Sequence, residues 1–245
     1  MASSRGSGQP VAVIPGRRPV AEALRAGRRL REVVVTDPGA VADLAAAAGR
    51  AGVPVRTASA GSLDELARGV RHQGVVAVAA GFPYVGLHEI GDPDLVVVLD
   101  GLSDPQNLGA IARSAEAAGA GALVLPKRRA AHVTPAAEKA SAGAFSWLRV
   151  ALVPNVARAL ADLADRGYWS VGLDGEADEA LWDSPLLDGR VALVIGAEGA
   201  GMSRLVTERV DARVAIPLRG RVGSLNASAA AAVALFEVTR RRRGA

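Results

Sequence analysis

The stretch that decides the fold is residues 191–202, VALVIGAEGAGM, together with residues 213–237, RVAIPLRGRVGSLNASAAAAVALFE. Its two apolar runs, VALVI and VAIPL, have the composition of buried strands, and each is followed by a Gly-containing break. Ser224 and Asn226 then stand directly before an Ala-rich helical pattern, where short polar side chains begin helices. The pattern predicts two strands, two loops and a helix start that converge on one small volume.

The rest of the chain alternates strand and helix patterns, which is typical of an α/β protein. Residues 13–80 form one compact α/β unit, and residues 94–245 form a second whose alternation predicts a mostly parallel sheet. Residues 81–93, GFPYVGLHEIGDP, break the periodicity with Gly and Pro and are interpreted as a linker. Residues 1–12 are rich in Ser, Gly and Gln and are predicted to be disordered.

Composition excludes several kinds of chemistry. The chain has no Cys, which removes disulfides, thiolate catalysis and Cys-ligated metals, and its three His are too scattered for a metal site. No run approaches the roughly 18 apolar residues of a membrane span, and no apolar signal core is found at the start. We therefore expect a cytoplasmic protein without membrane or metal.

The Gly-rich loop GAEGAGM fits none of the common nucleotide signatures. It lacks the G-x-G-x-x-G order of a dinucleotide site, and the chain contains neither a G-x-x-x-x-G-K-[ST] phosphate loop nor a G-x-S-x-G nucleophile turn. Nicotinamide, ATP or GTP, and serine-hydrolase chemistry are thus not supported.

The formal charge of +4 is unevenly distributed. Residues 1–80 carry 11 Lys and Arg against 6 Asp and Glu, residues 81–239 carry 14 against 19, and residues 240–243 are all Arg. Basic ends suit a polyanion such as RNA, and they equally suit an Ala-rich protein that needs charged helices for solubility. Arginines also cluster around the first predicted helix, as a candidate RNA-binding edge. These are Arg17, Arg18, Arg28 and Arg29.

The segment DGLSDPQNLGAIARSAEAAG, residues 100–119, follows an apolar strand, so its beginning should lie at the carboxyl edge of the sheet, where open α/β proteins bind ligands. A helix starting near Asn107 places Gly109 and Arg113 one turn apart on one face. Taken alone, Asn107 is typical of a helix cap and Arg113 of a solvated cation. Their significance depends on the other motifs.

Asn107 and Arg113 in NLGAIAR, Glu198 in IGAEGAGM, and Ser224 with Asn226 in GSLNASAAAA together resemble the three motifs of the SpoU (TrmH-like) family of RNA ribose 2'-O-methyltransferases. The N-terminal unit, with GRRPVAEAL and HQG, resembles the L30e-like substrate-binding domain of the bacterial 23S rRNA guanosine 2'-O-methyltransferases. The resemblance covers nearly the whole chain. One departure is the run of very small residues after Asn226, where relatives carry bulkier side chains.

The resemblance implies a C-terminal domain with a deep trefoil knot that binds S-adenosylmethionine. It assigns Gly196, Ile216 and Leu225 to the cofactor, largely through backbone groups. It makes Arg113 the catalytic arginine, with Asn107, Glu198, Ser224 and Asn226 orienting Arg113 and the ribose. It also implies a homodimer in which the partner completes each site. These positions are expectations.

The implied reaction is methyl transfer to a ribose 2'-hydroxyl, of a guanosine in 23S rRNA. Three alternatives stay open: a methyltransferase conferring antibiotic resistance through rRNA, a tRNA 2'-O-methyltransferase, and a non-catalytic RNA-binding factor in ribosome assembly. The L30e-like unit argues against the tRNA enzymes, and the intact motif residues argue against a non-catalytic protein.

Overall fold

The computed structural model describes residues 11–242. The strands are β1 (Val11–Pro15), β2 (Leu30–Val35), β3 (Val55–Thr57), β4 (Val75–Ala80), β5 (Leu95–Asp100), β6 (Ala122–Pro126), β7 (Arg149–Val153), β8 (Trp169–Leu173), β9 (Val191–Gly196) and β10 (Ala212–Val214). The α-helices are α1 (Arg17–Arg25), α2 (Ala42–Arg50), α3 (Ala60–Ala67), α4 (Pro105–Ala117), α5 (Pro135–Ala140), α6 (Val156–Ala164), α7 (Arg204–Thr207) and α8 (Ala227–Arg242). No helix in this range is long and apolar enough to cross a membrane.

The chain divides into two compact units. Within residues 11–242, unit 1 contains residues 11–83 together with Val133–Ser146, and unit 2 contains Tyr84–His132 and residues 147–242. The sequence predicts that Val133–Ser146 belongs to the second domain, and the structure corrects this. It belongs with unit 1 because α5 packs along β1.

Unit 1 is built on a four-stranded sheet in the order β1-β4-β2-β3. β4 is antiparallel to β1 and β2, while β3 is parallel to β2. Val33 packs on one face with α1 and α2, and its neighbour Val34 packs on the other with Leu63 of α3. Because successive strand residues face opposite sides, a sheet covered on both faces requires an unbroken apolar run such as VVV.

The prediction of disorder for residues 1–12 is wrong at its end. Val11 and Ala12 pair with Ala80 and Ala79 of β4, so β1 begins at Val11. Residues 1–10 lie outside the described range.

Unit 2 contains a six-stranded sheet in the order β10-β8-β9-β5-β6-β7, and every pairing in it is parallel. This confirms the predicted parallel sheet. Leu160 and Leu163 of α6 pack on a core that includes Val96 and Val194, and α4 packs against α8. Because the strands are parallel, the residues that follow the strands and precede the helices lie at one edge of the sheet.

The strand predicted at residues 214–218 is mostly wrong. Strand β10 is Ala212–Val214, and the chain leaves the sheet at Ala215, whose N–H donates to Glu179 O. Pro217 has no N–H and cannot continue a ladder. The residues that follow thus form a loop.

The linker interpretation of residues 81–93 also needs correction. The segment includes a 3₁₀ turn at Leu87–Glu89, and Val85 forms a parallel bridge with Ala151 of β7. Its part from Tyr84 onward is therefore fixed to unit 2.

Candidate active site

The site lies at the carboxyl edge of the parallel sheet in unit 2. Strands β5, β8 and β9 end there at Asp100, Leu173 and Gly196. A cleft of about 860 Å³ opens at the ends of β8 and β9. Its lining comes mainly from residues 173–176, 195–202, 214–218 and 220–227. Sites of this kind in α/β proteins hold small-molecule ligands.

Gly196 is fixed by the close approach of its own loop. A Cβ atom there would lie 2.1 Å from Gly201 C and 2.3 Å from Met202 N, both backbone atoms that cannot move aside. The N–H groups of Ala197 and Gly201 each donate to the other residue's carbonyl at 2.9 Å, which closes the loop. Only Gly fits at position 196.

The loop at residues 216–225 leaves its backbone groups available. Within the described residues, no N–H or C=O of this loop forms a hydrogen bond. Most of the loop is exposed, so these groups face water and are open to a ligand in the cleft that the loop lines. The sequence-predicted cofactor residues Ile216 and Leu225 lie in this loop, and both line the cleft with Gly196.

Three predicted catalytic residues meet in one hydrogen-bonded cluster. Asn107 Nδ2 donates to Glu198 Oε1 at 3.0 Å. Asn226 Nδ2 lies 2.5 Å from Glu198 Oε1 and 3.1 Å from Asn107 Oδ1. The polar cluster of Asn107, Glu198 and Asn226 thus joins the start of α4, the loop after β9 and the start of α8.

Asn226 also caps α8, as predicted. Its Oδ1 accepts from Ser228 N at 2.8 Å and from Ala229 N at 3.3 Å. One amide therefore both begins the helix and completes the polar cluster.

Ser224 and Arg113 do not join this cluster. Ser224 lines the cleft and forms no hydrogen bond within residues 11–242. Arg113 is exposed on α4 and is likewise without a hydrogen bond or ion pair in that range. Six residues separate it from Asn107, which turns its side chain about 120° away around the helix.

Sequence reasoning missed the two carboxylates that follow β8. Asp174 and Glu176 come soon after this strand and line the cleft, and Asp174 Oδ2 pairs with Arg213 at 3.1 Å. Asp100 lies at the carboxyl edge as predicted, at the end of β5, and accepts from Ser203 N at 2.6 Å. An acidic residue directly after an apolar run was the available signal, because all parallel strands end at one edge.

The predicted RNA-binding edge in unit 1 loses one member. Arg17, Arg18 and Arg29 are exposed. The Arg28 side chain is 7% exposed, pairs with Glu138 at 2.6 Å and stacks on the Phe82 ring. Arg28 therefore does not lie on the exposed edge with the other three arginines, because Glu138 holds it inside unit 1.

The arginines at the end of α8 also bind within the protein. Arg240 and Arg241 pair with Glu237, Arg241 pairs with Asp188, and Arg242 donates to backbone carbonyls. These contacts favour the structural interpretation of the C-terminal charge. Residue 243 lies outside the described range.

Two family models match the chain. The SpoU rRNA methylase family matches residues 94–236, and a model described as RNA 2'-O ribose methyltransferase substrate binding matches residues 13–85.

Similar proteins include the 23S rRNA (guanosine-2'-O-)-methyltransferases of Xanthomonas campestris and Escherichia coli. The first is 45% identical over 203 residues, which cover 80% of this chain and 81% of the relative. The second is 42% identical over 200 residues, which cover 78% and 81%.

Among solved structures, the SpoU methyltransferase AviRb from Streptomyces viridochromogenes in complex with AdoMet has a TM-score of 0.82 at 27% identity. The match covers 96% of this chain and 92% of that one. The TrmH/SpoU tRNA-modifying enzyme of A. aeolicus has a TM-score of 0.56 at 26% identity, and the match covers 64% of this chain and 81% of that one.

Proposed function

Since this chain belongs to the SpoU rRNA methylase family, we propose that it transfers a methyl group from S-adenosylmethionine to the ribose 2'-hydroxyl of a guanosine in 23S rRNA. It is an S-adenosylmethionine-dependent RNA methyltransferase. The observation that carries the proposal is the cluster of Asn107, Glu198 and Asn226 beside the cleft. The guanosine and the 23S rRNA are proposed because the relatives that are 42–45% identical over the aligned residues are 23S rRNA (guanosine-2'-O-)-methyltransferases.

The cleft fits S-adenosylmethionine. Its volume lies within the range of small-ligand sites. The unpaired backbone groups at residues 216–225 suit an adenine ring, which needs an apolar slot and backbone hydrogen bonds. Gly196, Ile216 and Leu225 would hold the cofactor, and Glu176 adds negative charge for its cationic groups. When bound, the cofactor supplies an activated methyl group on a sulfonium, so the protein's part is alignment and proton removal.

The polar cluster has a positioning role in this proposal. Glu198 accepts hydrogen bonds from the amides of Asn107 and Asn226. It thereby positions the loop at residues 216–225, which leads into α8. Together with Ser224 these side chains orient the ribose. Arg113 is the catalytic residue. A guanidinium offers N–H donors and no acceptor, so Arg113 binds the neighbouring phosphate and stabilises the developing alkoxide rather than taking the proton.

We also propose a homodimer with a shared active site. Arg113 projects to solvent without a partner in the described chain, and α4 packs against α8. On α8, Phe236 is 50% exposed and Val233 is 36% exposed, and both are large apolar side chains next to the exposed Ala229. A second copy that covers this stripe would bury it and would supply Arg113 to the other cleft.

The family resemblance further supports a trefoil knot at residues 191–237 and an L30e-like fold for unit 1. Insertion of the later strand β9 between β8 and β5 is consistent with a chain that returns through earlier structure. We place the activity in the cytoplasm, where ribosomal RNA is made.

The match to the tRNA-modifying enzyme covers only 64% of the chain, whereas a substrate-binding model matches residues 13–85. This favours rRNA over tRNA. The test is incubation with methyl-labelled S-adenosylmethionine and transcripts of 23S rRNA and tRNA. We expect label in 23S rRNA at one guanosine whose 3' linkage resists alkali, because alkaline cleavage needs a free 2'-hydroxyl. Label in tRNA alone, or in neither, would refute the proposal.

A further inference from the structure

Three features of unit 1 work against local stability, and they lie together. The first is the start of α1. Its first turn contains Arg17 and Arg18, and its N-cap is Gly16, which provides no side-chain cap. The amino end of a helix favours acidic or capping residues and disfavours cations. Stability alone does not explain two arginines there.

The second feature is Gln73, which precedes β4. Its φ is +54°, a left-handed conformation that is unfavourable for a residue with a side chain. The loop is held in this shape by His72, whose Nδ1 accepts from Gly74 N and whose Nε2 bonds Asp64 Oδ1, both at 3.1 Å. The strained backbone presents the Gln73 amide at a fixed position.

The third feature is Lys139 on α5. Its Nζ donates to Gln73 Oε1 at 2.6 Å, a neutral acceptor, and makes no ion pair within the described residues. Burial, and then the positive charge of Arg71, lower the pKa of Lys139. Arg71 is exposed and has no hydrogen bond or ion pair in residues 11–242. Lys139 and Arg71 are thus two cations whose charges oppose each other, and neither forms an ion pair within residues 11–242.

Geometry joins these features into one surface. A Cβ atom on Gly16 would lie 2.3 Å from Lys139 Nζ and 3.3 Å from Gln73 Oε1. Arg17 donates to Ala40 O, while Arg18 is exposed. We call Arg71, Gln73 and Lys139 the cationic cluster.

We propose that the cationic cluster binds the RNA substrate. Lys139 and Arg71 contact a phosphate, and the free amide hydrogens of Gln73 donate to an acceptor on the adjoining nucleotide. This inference rests on the proposed function. A phosphate between the two cations would remove their repulsion, and charged contacts of this kind fix the register of a nucleic acid. Sites that sacrifice local stability are expected where binding needs it.

Lys139 lies in a different part of the sequence from Arg71 and Gln73. Lys139 lies within the sequence matched by the methylase family, outside the substrate-binding match at residues 13–85. It reaches unit 1 through the segment Val133–Ser146. Residues 13–85 alone would therefore lack part of the RNA surface.

The experiment measures binding of the full-length chain to an in vitro transcript of 23S rRNA as a function of salt. The variants are Lys139→Gln, Arg71→Gln and Gln73→Gly. The matched control is Arg50→Gln, which also removes one exposed positive charge from unit 1. Arg50 is the last residue of α2 and precedes the start of β3. Because β3 runs parallel to β2, Arg50 lies at the edge of the sheet where β2 and β3 start. The edge where β1 and β2 end is the opposite one.

We expect Lys139→Gln and Arg71→Gln each to weaken RNA binding roughly five- to tenfold and to reduce the salt slope by about one contact. Arg50→Gln should change neither. Gln73→Gly should weaken binding while leaving Tm equal or higher, because Gly accepts the left-handed backbone. Arg71→Gln and Gln73→Gly keep the test decisive if Lys139→Gln folds poorly.

Wild-type affinity and salt slope in Arg71→Gln and Gln73→Gly would overturn the inference, and would leave Lys139 as a structural tie between α5 and the Gln73 loop. Affinity for S-adenosylmethionine, followed by calorimetry, should be the same in every variant. If the wild-type protein itself neither binds nor methylates the transcript, the proposed function fails together with this inference. RNA binding by the wild type with unaffected variants removes only the inference.

Discussion

Asn107 Nδ2 and Glu198 Oε1 are 3.0 Å apart, although 91 positions separate the two residues in the sequence. The bond fastens the start of α4 to the loop after β9, and Asn226 shares the same carboxylate oxygen. Asn107 is only 7% exposed, so its amide has no ready access to water. The carboxylate of Glu198 is thus the common acceptor that holds the polar cluster together.

Glu198→Ala should lower methylation about 100-fold, because misplacement of a positioning group by about 1 Å has effects of that size. It should also lower the free energy of unfolding by about 1–3 kcal/mol, since a buried amide loses its acceptor. Urea unfolding and methyl transfer measure the two effects. Glu208→Ala, which removes an exposed carboxylate paired with Arg204, is the control and should leave both quantities unchanged. Normal activity in Glu198→Ala would refute the positioning role.

Gly196→Ala should prevent cofactor binding. The added methyl group overlaps the backbone of Gly201 and Met202, so the loop must move. The control is Gly223→Ala, because Gly223 also lines the cleft but a Cβ atom on it would have nothing within 4 Å. Calorimetry with S-adenosylmethionine should give no detectable binding for the first variant and near-normal binding for the second. Equal binding by both would contradict the packing described for Gly196.

Arg113→Ala should abolish methyl transfer and leave the affinity for S-adenosylmethionine nearly unchanged, because Arg113 lies outside the cleft lining. Arg158→Ala, which removes an exposed arginine of α6, is the control. In a shared-site dimer, mixing inactive Arg113→Ala with inactive Asn226→Ala chains should restore activity. Random pairing at equal amounts gives about a quarter of the wild-type rate, because half of the dimers have one intact site. No recovery from mixed and refolded chains would exclude the shared site.

The buried pair of Arg28 and Glu138 gives a prediction about stability. Burial raises the pKa of the Glu138 carboxyl, and Arg28 opposes that rise. Arg28→Ala leaves the carboxyl buried and unpaired and should lower the free energy of unfolding by about 3–5 kcal/mol. The double variant Arg28→Met with Glu138→Leu should lose much less or nothing. Arg56→Ala, which breaks the exposed pair with Glu32, should have a far smaller effect. A double variant as unstable as the single one would contradict this account.

The ion pairs of Glu237 are expected to make the stability of unit 2 sensitive to acid. Hydrogen bonds from Arg240, and then from Arg241, hold the pKa of Glu237 below its ordinary range, against the effect of burial. A lowered folded-state pKa gives stability that is present above the unfolded pKa of about 4.3 and is lost as the pH falls through the folded value. Glu237→Gln should therefore be about 1 kcal/mol less stable than wild type at pH 7. The difference should shrink in urea unfolding as the pH falls below the unfolded value of about 4.3, and a gap that does not change over that acid range would refute the ionic origin.

The sequence predicts much of unit 2 because its signals are local. The apolar runs of β5 and β9 identify buried strands, and parallel strands must end at one edge, which is why Asn107 and Glu198 could be expected to meet. The same reasoning applied to β8 would have found Glu176. Pro217 also indicates that β10 ends before residue 218, because proline has no N–H to donate to a neighbouring strand.

Placements that depend on distant partners were not predictable. Nothing in the residues around Glu138 indicates that α5 packs on β1, more than 100 positions earlier. For that reason Arg28 resembled its exposed neighbours, and Lys139 attracted no attention. The position of Arg113 relative to a substrate is set by assembly, which no local pattern encodes.

Because the segment Val133–Ser146 belongs to unit 1, the ribosome must make part of unit 2 before unit 1 is complete. When Pro83 leaves the ribosome, unit 1 still lacks α5, so β1 lacks one of the helices that pack on it and Arg28 lacks its counter-ion. The segment with α5 follows some 60 residues later, after β5, α4 and β6. At about 5–20 residues per second, this is a delay of several seconds. During that interval the first unit is incomplete, and its completion is timed by translation of the second.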